Sequence, residues 1–293
     1  MASCVTKFGG KPIEAAVKKS RADKVQLING TGFPLPSVVE FNIWGDCNRA
    51  CSFCPVSTKY YDRRPGGMDF NLYAQIIYEL MHLKFNGMIL FSAFSEPLLN
   101  PTIVQFVRLA RNFLPCHIEI NTNGDAIRKC PDILHNLFKS GLNTVSISLY
   151  SNRNGPKGGF DDLIEMYSPD EIKIRRRYYS EMEKDFGTIL SNRGGIFFSD
   201  KRLPLNRQCF YPFYQITIDM DGDMLLCPHD WRKMHVVGNL KMSTLRELWT
   251  GSEMELTRAL LADKKRDFEP CVLCDVDGTL MGEGHYNRWM GGD

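Results

Sequence analysis

The sequence predicts an α/β fold, a parallel sheet with helices packed outside it, followed by a small α+β unit near the C-terminus. Three observations carry this. Short β-rich runs begin near Met88, His117, Thr144 and Glu171, at intervals of 29, 27 and 27 residues, with helical patterns between them. A strand, a helix and two loops take about 30 residues, and the alternation implies parallel strands. An earlier strand, Val38–Ile43, runs directly into Gly45 and a cysteine-rich loop, and from Phe210 the pattern changes to a hairpin.

Taken in order, residues 1–36 are polar and broken by Gly9–Gly10, Gly30, Gly32, Pro34 and Pro36. We expect a loose extension there, a βα domain over 37–200 and a second domain over 201–293. After the cysteine loop a helix is predicted from Asp69 to Phe85, with Leu72, Ile76, Ile77, Leu80 and Leu83 on one face and Asp69 as its N-cap. Further helices are predicted at Ile103–Phe113 and Ile133–Ser140, the second ending at Gly141, and at Tyr178–Leu190, broken by Asn192–Gly195. Tyr214–Asp219 alternates, Asp221–Gly222 is a hairpin turn and Met224–Cys227 returns. Leu245–Trp249 and Ser252–Ala262 complete the helices.

Lys and Arg total 36 against 34 Asp and Glu, a balance without the basic footprint of a nucleic-acid or anionic-membrane partner. No run of 18 apolar residues marks a membrane span. The N-terminus has no apolar h-region, so the expected location is the cytoplasm. Ten cysteines in a reducing compartment point to metal rather than to disulfides. Seven fall into two groups, leaving Cys4, Cys116 and Cys130 apart.

The first group, Cys47, Cys51 and Cys54, has the spacing C-x3-C-x2-C. Three thiolates within eight residues suit an iron–sulfur cluster with one iron left open; a structural zinc ion wants four ligands. The second group, Cys209, Cys227, Cys271 and Cys274, has gaps of 17, 43 and 2 residues. Four thiolates complete either a 4Fe–4S cluster or a tetrahedral zinc site, and spacing alone favours zinc.

The three-cysteine loop, with Phe53 before its last cysteine, resembles the signature of the radical S-adenosylmethionine (SAM) superfamily. Phe91-Ser-Ala-Phe-Ser-Glu96-Pro97 is similar to that family's SAM-binding segment after the second strand, although Ala93 and Ser95 stand where glycines are usual. Asn121-Thr-Asn123-Gly124 and Ser146-Ile-Ser148-Leu-Tyr150 resemble the ends of its third and fourth strands. Cys227-Pro-His-Asp230-Trp231, Val237-Gly-Asn-Leu240 and Pro270-Cys271-Val-Leu-Cys274 look like its C-terminal SPASM or shortened twitch domain. The resemblance implies a partial (β/α)6 barrel with a twitch/SPASM domain, bound SAM, and two 4Fe–4S clusters, one catalytic and one auxiliary. It carries SAM contacts onto Phe53, Ser95, Glu96, Asn123 and Ser148, and favours iron over zinc at the second group.

The spacing of the second group is close to that of family members that dehydrogenate aminocyclitols. This implies a radical SAM oxidoreductase that dehydrogenates, or epimerises, a carbinol of a sugar or aminocyclitol, with the auxiliary cluster as electron acceptor. Arg193, Arg177 and Asp230 are the candidate catalytic residues, with Arg175 and His229 behind them. A maturase of a ribosomally made peptide is the alternative reading. A flavodoxin- or ferredoxin-type protein is the expected electron donor.

Overall fold

The computed structural model describes residues 19–151, 160, 166–168, 171–178 and 191–292, with backbone alone at 149–151 and 173–178. Cys4 and, apart from Tyr178, which ends a strand, the predicted helix at Tyr178–Leu190 lie outside the described residues.

Five runs rich in β-branched and aliphatic residues form parallel strands: β1 (Val38–Phe41), β2 (Met88–Phe91), β3 (His117–Thr122), β4 (Thr144–Ser151) and β5 (Ile172–Tyr178). They are neighbours in the order β5-β4-β3-β2-β1. A sixth parallel strand, β6 (Gln215–Ile218), lies on the free side of β1 with Val38 opposite Gln215 and Phe41 opposite Ile218. It then turns at Asp221–Gly222 into the antiparallel β7 (Asp223–Leu225), which pairs with β8 (Val236–Asn239). The sheet is thus continuous across residue 200, and the strand read as the start of a hairpin also completes the parallel set.

Strand residues alternate between faces. Val39, Phe41, Ile89, Phe91, Ile118, Ile120, Val145, Ile147, Ile216 and Ile218 share one large core with the helices. Each such side chain contributes about 1.5–3 kcal/mol through burial. Helix α1 (Phe70–His82) presents Leu72, Tyr73, Ile76, Ile77 and Leu80 to that core, and the Asp69 carboxylate caps it by accepting from the amides of Asn71 and Leu72. Helices α2 (Ile103–Phe113), α3 (Asp125–Lys129) and α4 (Asp132–Lys139) follow. On the opposite face Val38, Met88 and Leu90 pack with Ala22, Phe210 and Tyr214. Nearer the C-terminal strand ends that face carries buried Asn42, Ser146, Thr217 and Asp219.

Residues 19–36 are not a loose extension. Ala22, Ile28 and Leu35 are buried, the Trp249 indole donates to the Pro34 carbonyl at 2.8 Å, and Phe33 stacks on Trp289 at 5.1 Å. The scattered glycines and prolines shape a strap over the base of the sheet, anchored by Ala22, Ile28, Phe33 and Leu35 while Leu27 stays exposed. The remaining helices are α5 (Tyr211–Tyr214), α6 (Leu245–Trp249), α7 (Ser252–Ala262) and α8 (Glu283–Trp289). Neither β8 nor α8 was expected from the sequence.

Candidate active site

The loops following β1, β2 and β3 leave the sheet on the same side, and parallel strands gather functional loops at that end. Cys47, Cys51 and Cys54 are half-buried in the loop after β1. Asp46 accepts from the Cys47 amide at 2.7 Å and from Arg63 at 2.6 Å, and Arg63 also donates to the Cys47 carbonyl at 2.6 Å. Arg49 makes a two-pronged pair with Asp125 at 2.5 and 2.7 Å, and Asn48 donates to the same carboxylate. The loop is thereby tied to the first residue of α3, just beyond β3.

Glu96 is the hub of the next loop. It is buried and accepts from Thr122 Oγ1 at 2.6 Å, the Asn123 amide at 2.8 Å and the Leu98 amide at 3.1 Å. Burial raises its pKa, against the pull of these donors. Ala93 holds φ at +73°, the left-handed conformation a glycine would adopt freely. Ala93 therefore keeps the backbone path at a strain of about 1 kcal/mol. Ser95 donates to Asn42 Oδ1 at 2.6 Å, and Asn123 reaches Asn48 Oδ1 at 2.8 Å, 4.0 Å from Cys47 Sγ. Phe53 is buried, and Ser148 is half-buried on β4. Phe53, Ser95, Glu96 and Asn123 thus lie in or against the loops around the three cysteines.

The four later cysteines come together from separate segments. Cys227, Cys271 and Cys274 are buried and Cys209 is half-buried. Burial first, then the neighbouring sulfurs, pushes the Cys227 thiol far up; Cys274 is pushed up to about 11. Cys47, raised by burial and by Glu96, also reaches about 11. Without a metal these thiols stay protonated at neutral pH, and iron would have to displace the protons. Among the described residues no three metal-binding side chains converge as around a single ion. A four-iron cubane takes one thiolate per corner and needs no such convergence. Two sets of soft sulfur ligands, one of three and one of four, fit the cofactors expected above.

Asn192 and Asp275 weld the segment carrying Arg193 to the last cysteine pair. The Asn192 amide donates to Asp275 Oδ1 at 2.8 Å, its side chain to the Leu273 carbonyl at 2.7 Å, and the Asp275 amide returns to Asn192 Oδ1 at 3.2 Å. Gly195, at φ +88°, faces Leu273 so closely that a Cβ there would lie 2.5 Å from it. Arg193 itself has φ +53° and a buried Nε with no hydrogen-bond partner. Its charge opposes the burial that raises the Cys54 thiol, and burial and Arg193 together push the His229 imidazole down to about 3. Asp230 is buried, and its two oxygens accept from the Met234 and His235 amides at 2.9 and 2.8 Å, closing the loop after Cys227. The Arg177 backbone lies opposite Tyr150 on β5; its side chain, like that of Arg175, is outside the described set. Sequence reasoning missed Asn192, which looked only like a helix breaker, although an Asn two residues ahead of Gly194-Gly195 is a signal for a tight, side-chain-bonded turn.

Family models match the chain twice. Residues 41–178 match the radical SAM superfamily, and residues 209–275 match SPASM, an iron-sulfur cluster-binding domain. This chain is a radical SAM enzyme with a SPASM domain. Radical SAM enzymes use SAM and a 4Fe–4S cluster, and SPASM domains bind auxiliary iron–sulfur clusters. A curated relative, the S-adenosyl-L-methionine-dependent 2-deoxy-scyllo-inosamine dehydrogenase of Niallia circulans, is 27% identical over 233 residues, covering 78% of this chain and 88% of its own. The crystal structure of BtrN in complex with AdoMet and 2-DOIA matches with a TM-score of 0.70 at 25% identity, over 83% of this chain and 94% of that one. The native anSMEcpe structure with bound AdoMet shares the fold, with a TM-score of 0.51 at 12% identity over 87% and 95% of the two chains. Among the described residues no helix is long and apolar enough to cross a membrane.

Proposed function

We propose that this radical SAM enzyme dehydrogenates a carbinol of a sugar or aminocyclitol. The observation that carries the reading is Arg193, whose buried Nε has no hydrogen-bond partner, whose neighbour Gly194 packs on His229 in the loop after Cys227, and whose charge also acts on Cys54 of the first cysteine set. The similarity to an aminocyclitol dehydrogenase supports it. When bound, the cofactors supply a hydrogen-abstracting 5′-deoxyadenosyl radical and an auxiliary acceptor for one electron.

In this reading Cys47, Cys51 and Cys54 would hold the catalytic cluster, and Cys209, Cys227, Cys271 and Cys274 the auxiliary one. Phe53, Ser95, Glu96, Asn123 and Ser148 would hold SAM, with Glu96 shaping the backbone that meets it. Arg193 would donate to the substrate oxygen and stabilise negative charge there as the hydroxyl proton passes to water. Asp230 braces the auxiliary loop, since its oxygens are committed to backbone amides. Residues 37–200 would form the catalytic unit and 201–293 the auxiliary domain, with a flavodoxin or ferredoxin as electron donor. Dehydrogenation is favoured over epimerisation because returning a hydrogen atom needs a donor near the radical. Cys116 is buried just before β3, at the opposite end of the sheet, and Cys130 is exposed at the end of α3.

The test is anaerobic turnover with aminocyclitols or sugars deuterated at the carbinol carbon. Deuterium in 5′-deoxyadenosine together with a ketone product is the expected result. Cleavage of SAM with deuterium returned to an inverted alcohol, or label exchange only into a peptide, would overturn the reading.

A further inference from the structure

Arg266 takes no part in the reading above, and its surroundings are unusual. It lies just after α7 and is 2% exposed. Its Nε donates to the Arg207 carbonyl at 3.1 Å, one terminal nitrogen to Val276 at 2.7 Å, and the other to Gln208 at 2.8 Å and Asp277 at 3.0 Å. These four carbonyls belong to the segment entering Cys209 and the segment leaving Cys274. All are neutral, so they solvate the guanidinium without cancelling its charge, which an aspartate or glutamate in their place would do.

The guanidinium also lies beside Cys209. A Cβ on Gly278 would lie 2.4 Å from Cys209 Sγ and 3.1 Å from an Arg266 terminal nitrogen, so both groups flank the same glycine. Two of its carbonyl partners are Gln208, next to Cys209, and Val276, two residues after Cys274, so the charge is held between both ends of the four-cysteine site.

We propose that Arg266 is a fixed countercharge of the four-cysteine site, favouring the reduced, more negative state of the cluster held there. The inference rests on that site holding an iron–sulfur cluster. Four thiolates on a cubane carry net negative charge, and one-electron reduction adds one more. A buried unit charge beside the sulfurs stabilises the extra electron, and cluster potentials follow net charge and hydrogen bonding. Arginine suits the place because its planar fork satisfies four carbonyls and stays charged when buried.

The experiment compares the full chain carrying both clusters with R266K and R266Q, by redox titration followed by electron paramagnetic resonance. Added SAM perturbs the signal of the open cluster alone, so the unperturbed signal reports the four-cysteine site. R266Q should titrate at a clearly more negative potential, R266K should stay near the parent, and the SAM-sensitive signal should not move. Loss of the second cluster from R266Q, with R266K keeping it at the parental potential, equally supports a countercharge. Lysine and glutamine behaving alike, whether both match the parent, both shift or both lose the cluster, would overturn the proposal and leave Arg266 a clamp between two loops. A parent protein with only about four irons per chain would instead remove the premise that the second site holds a cluster.

Discussion

The two cysteine sites are built in opposite ways. Cys47, Cys51 and Cys54 are supplied by one loop, half-buried, in a frame of charged side chains, Arg63, Asp46, Arg49 and Asp125, at 2.5 to 2.7 Å. Cys209, Cys227, Cys271 and Cys274 are supplied by separate segments and sit among backbone-directed bonds from Asn192, Asp230, Asp275 and Arg266. The first arrangement leaves all three thiols partly open to solvent. The second buries three of its four. An exposed site can exist as a loop; an enclosed one exists only once its surroundings have folded.

The sharpest break in this comparison is Cys51→Ala. It should abolish reductive cleavage of SAM, measured as 5′-deoxyadenosine, and persistent cleavage would show that the loop is not the catalytic centre. Cys271→Ala should lower iron by about half and stop product while cleavage persists; equal loss of both clusters' spectra would mean that the second site only supports the fold. Arg193→Lys tests the junction between the sites. It should lower product formation on the order of a hundredfold, the scale of losing an aimed donor, while leaving iron content unchanged; an unaltered kcat would remove Arg193 from the reaction.

Two smaller effects sharpen the contrast. Asn192→Ala removes the bonds to Leu273 and Asp275 and should cost about 1–3 kcal/mol locally. Read out as iron, the loss should fall on the SAM-insensitive signal; an equal fall in both would show that the two sites are not independent. Asp219 addresses the edge between β1 and the hairpin. It is fully buried; burial pushes its pKa up, but hydrogen bonds from Lys233 and Asn42 outweigh this and hold it below the ordinary value. A lowered folded pKa means stability that is present above the unfolded value, near pH 3.9, and is lost as pH falls through the folded value. Asp219→Asn should therefore lower Tm at pH 7 and flatten the acid limb below about pH 4. An unchanged slope in Tm measured against pH would remove the charge of Asp219 from that account.

Legibility in the sequence followed the distance between interacting residues. The edges of α2 at Ile103–Phe113 and of α7 at Ser252–Ala262, and the Asp69 cap, were readable because period, cap and stop signals act within a few residues. The strap over 19–36 was not, because its anchors Ala22, Ile28, Phe33 and Leu35 follow no helical or strand period and Gly30, Gly32, Pro34 and Pro36 interrupt it. Glu96 was legible as a motif residue, yet its three donors from two loops were not.

By itself the sequence determined the parallel βα series, the three-thiol loop, the paired cysteines at 271 and 274, and membership of a radical enzyme family. These are patterns of period and spacing that each short segment carries alone. Only the tertiary structure decided that β6 extends the parallel sheet beside β1, that Arg193 is left with a buried Nε without a hydrogen-bond partner, and that Arg266 is enclosed at the second cysteine site. The physical reason is that those placements depend on hydrogen bonds and burial joining residues far apart along the chain, such as Asn192 with Asp275, and no local pattern announces which partner a buried polar group will find.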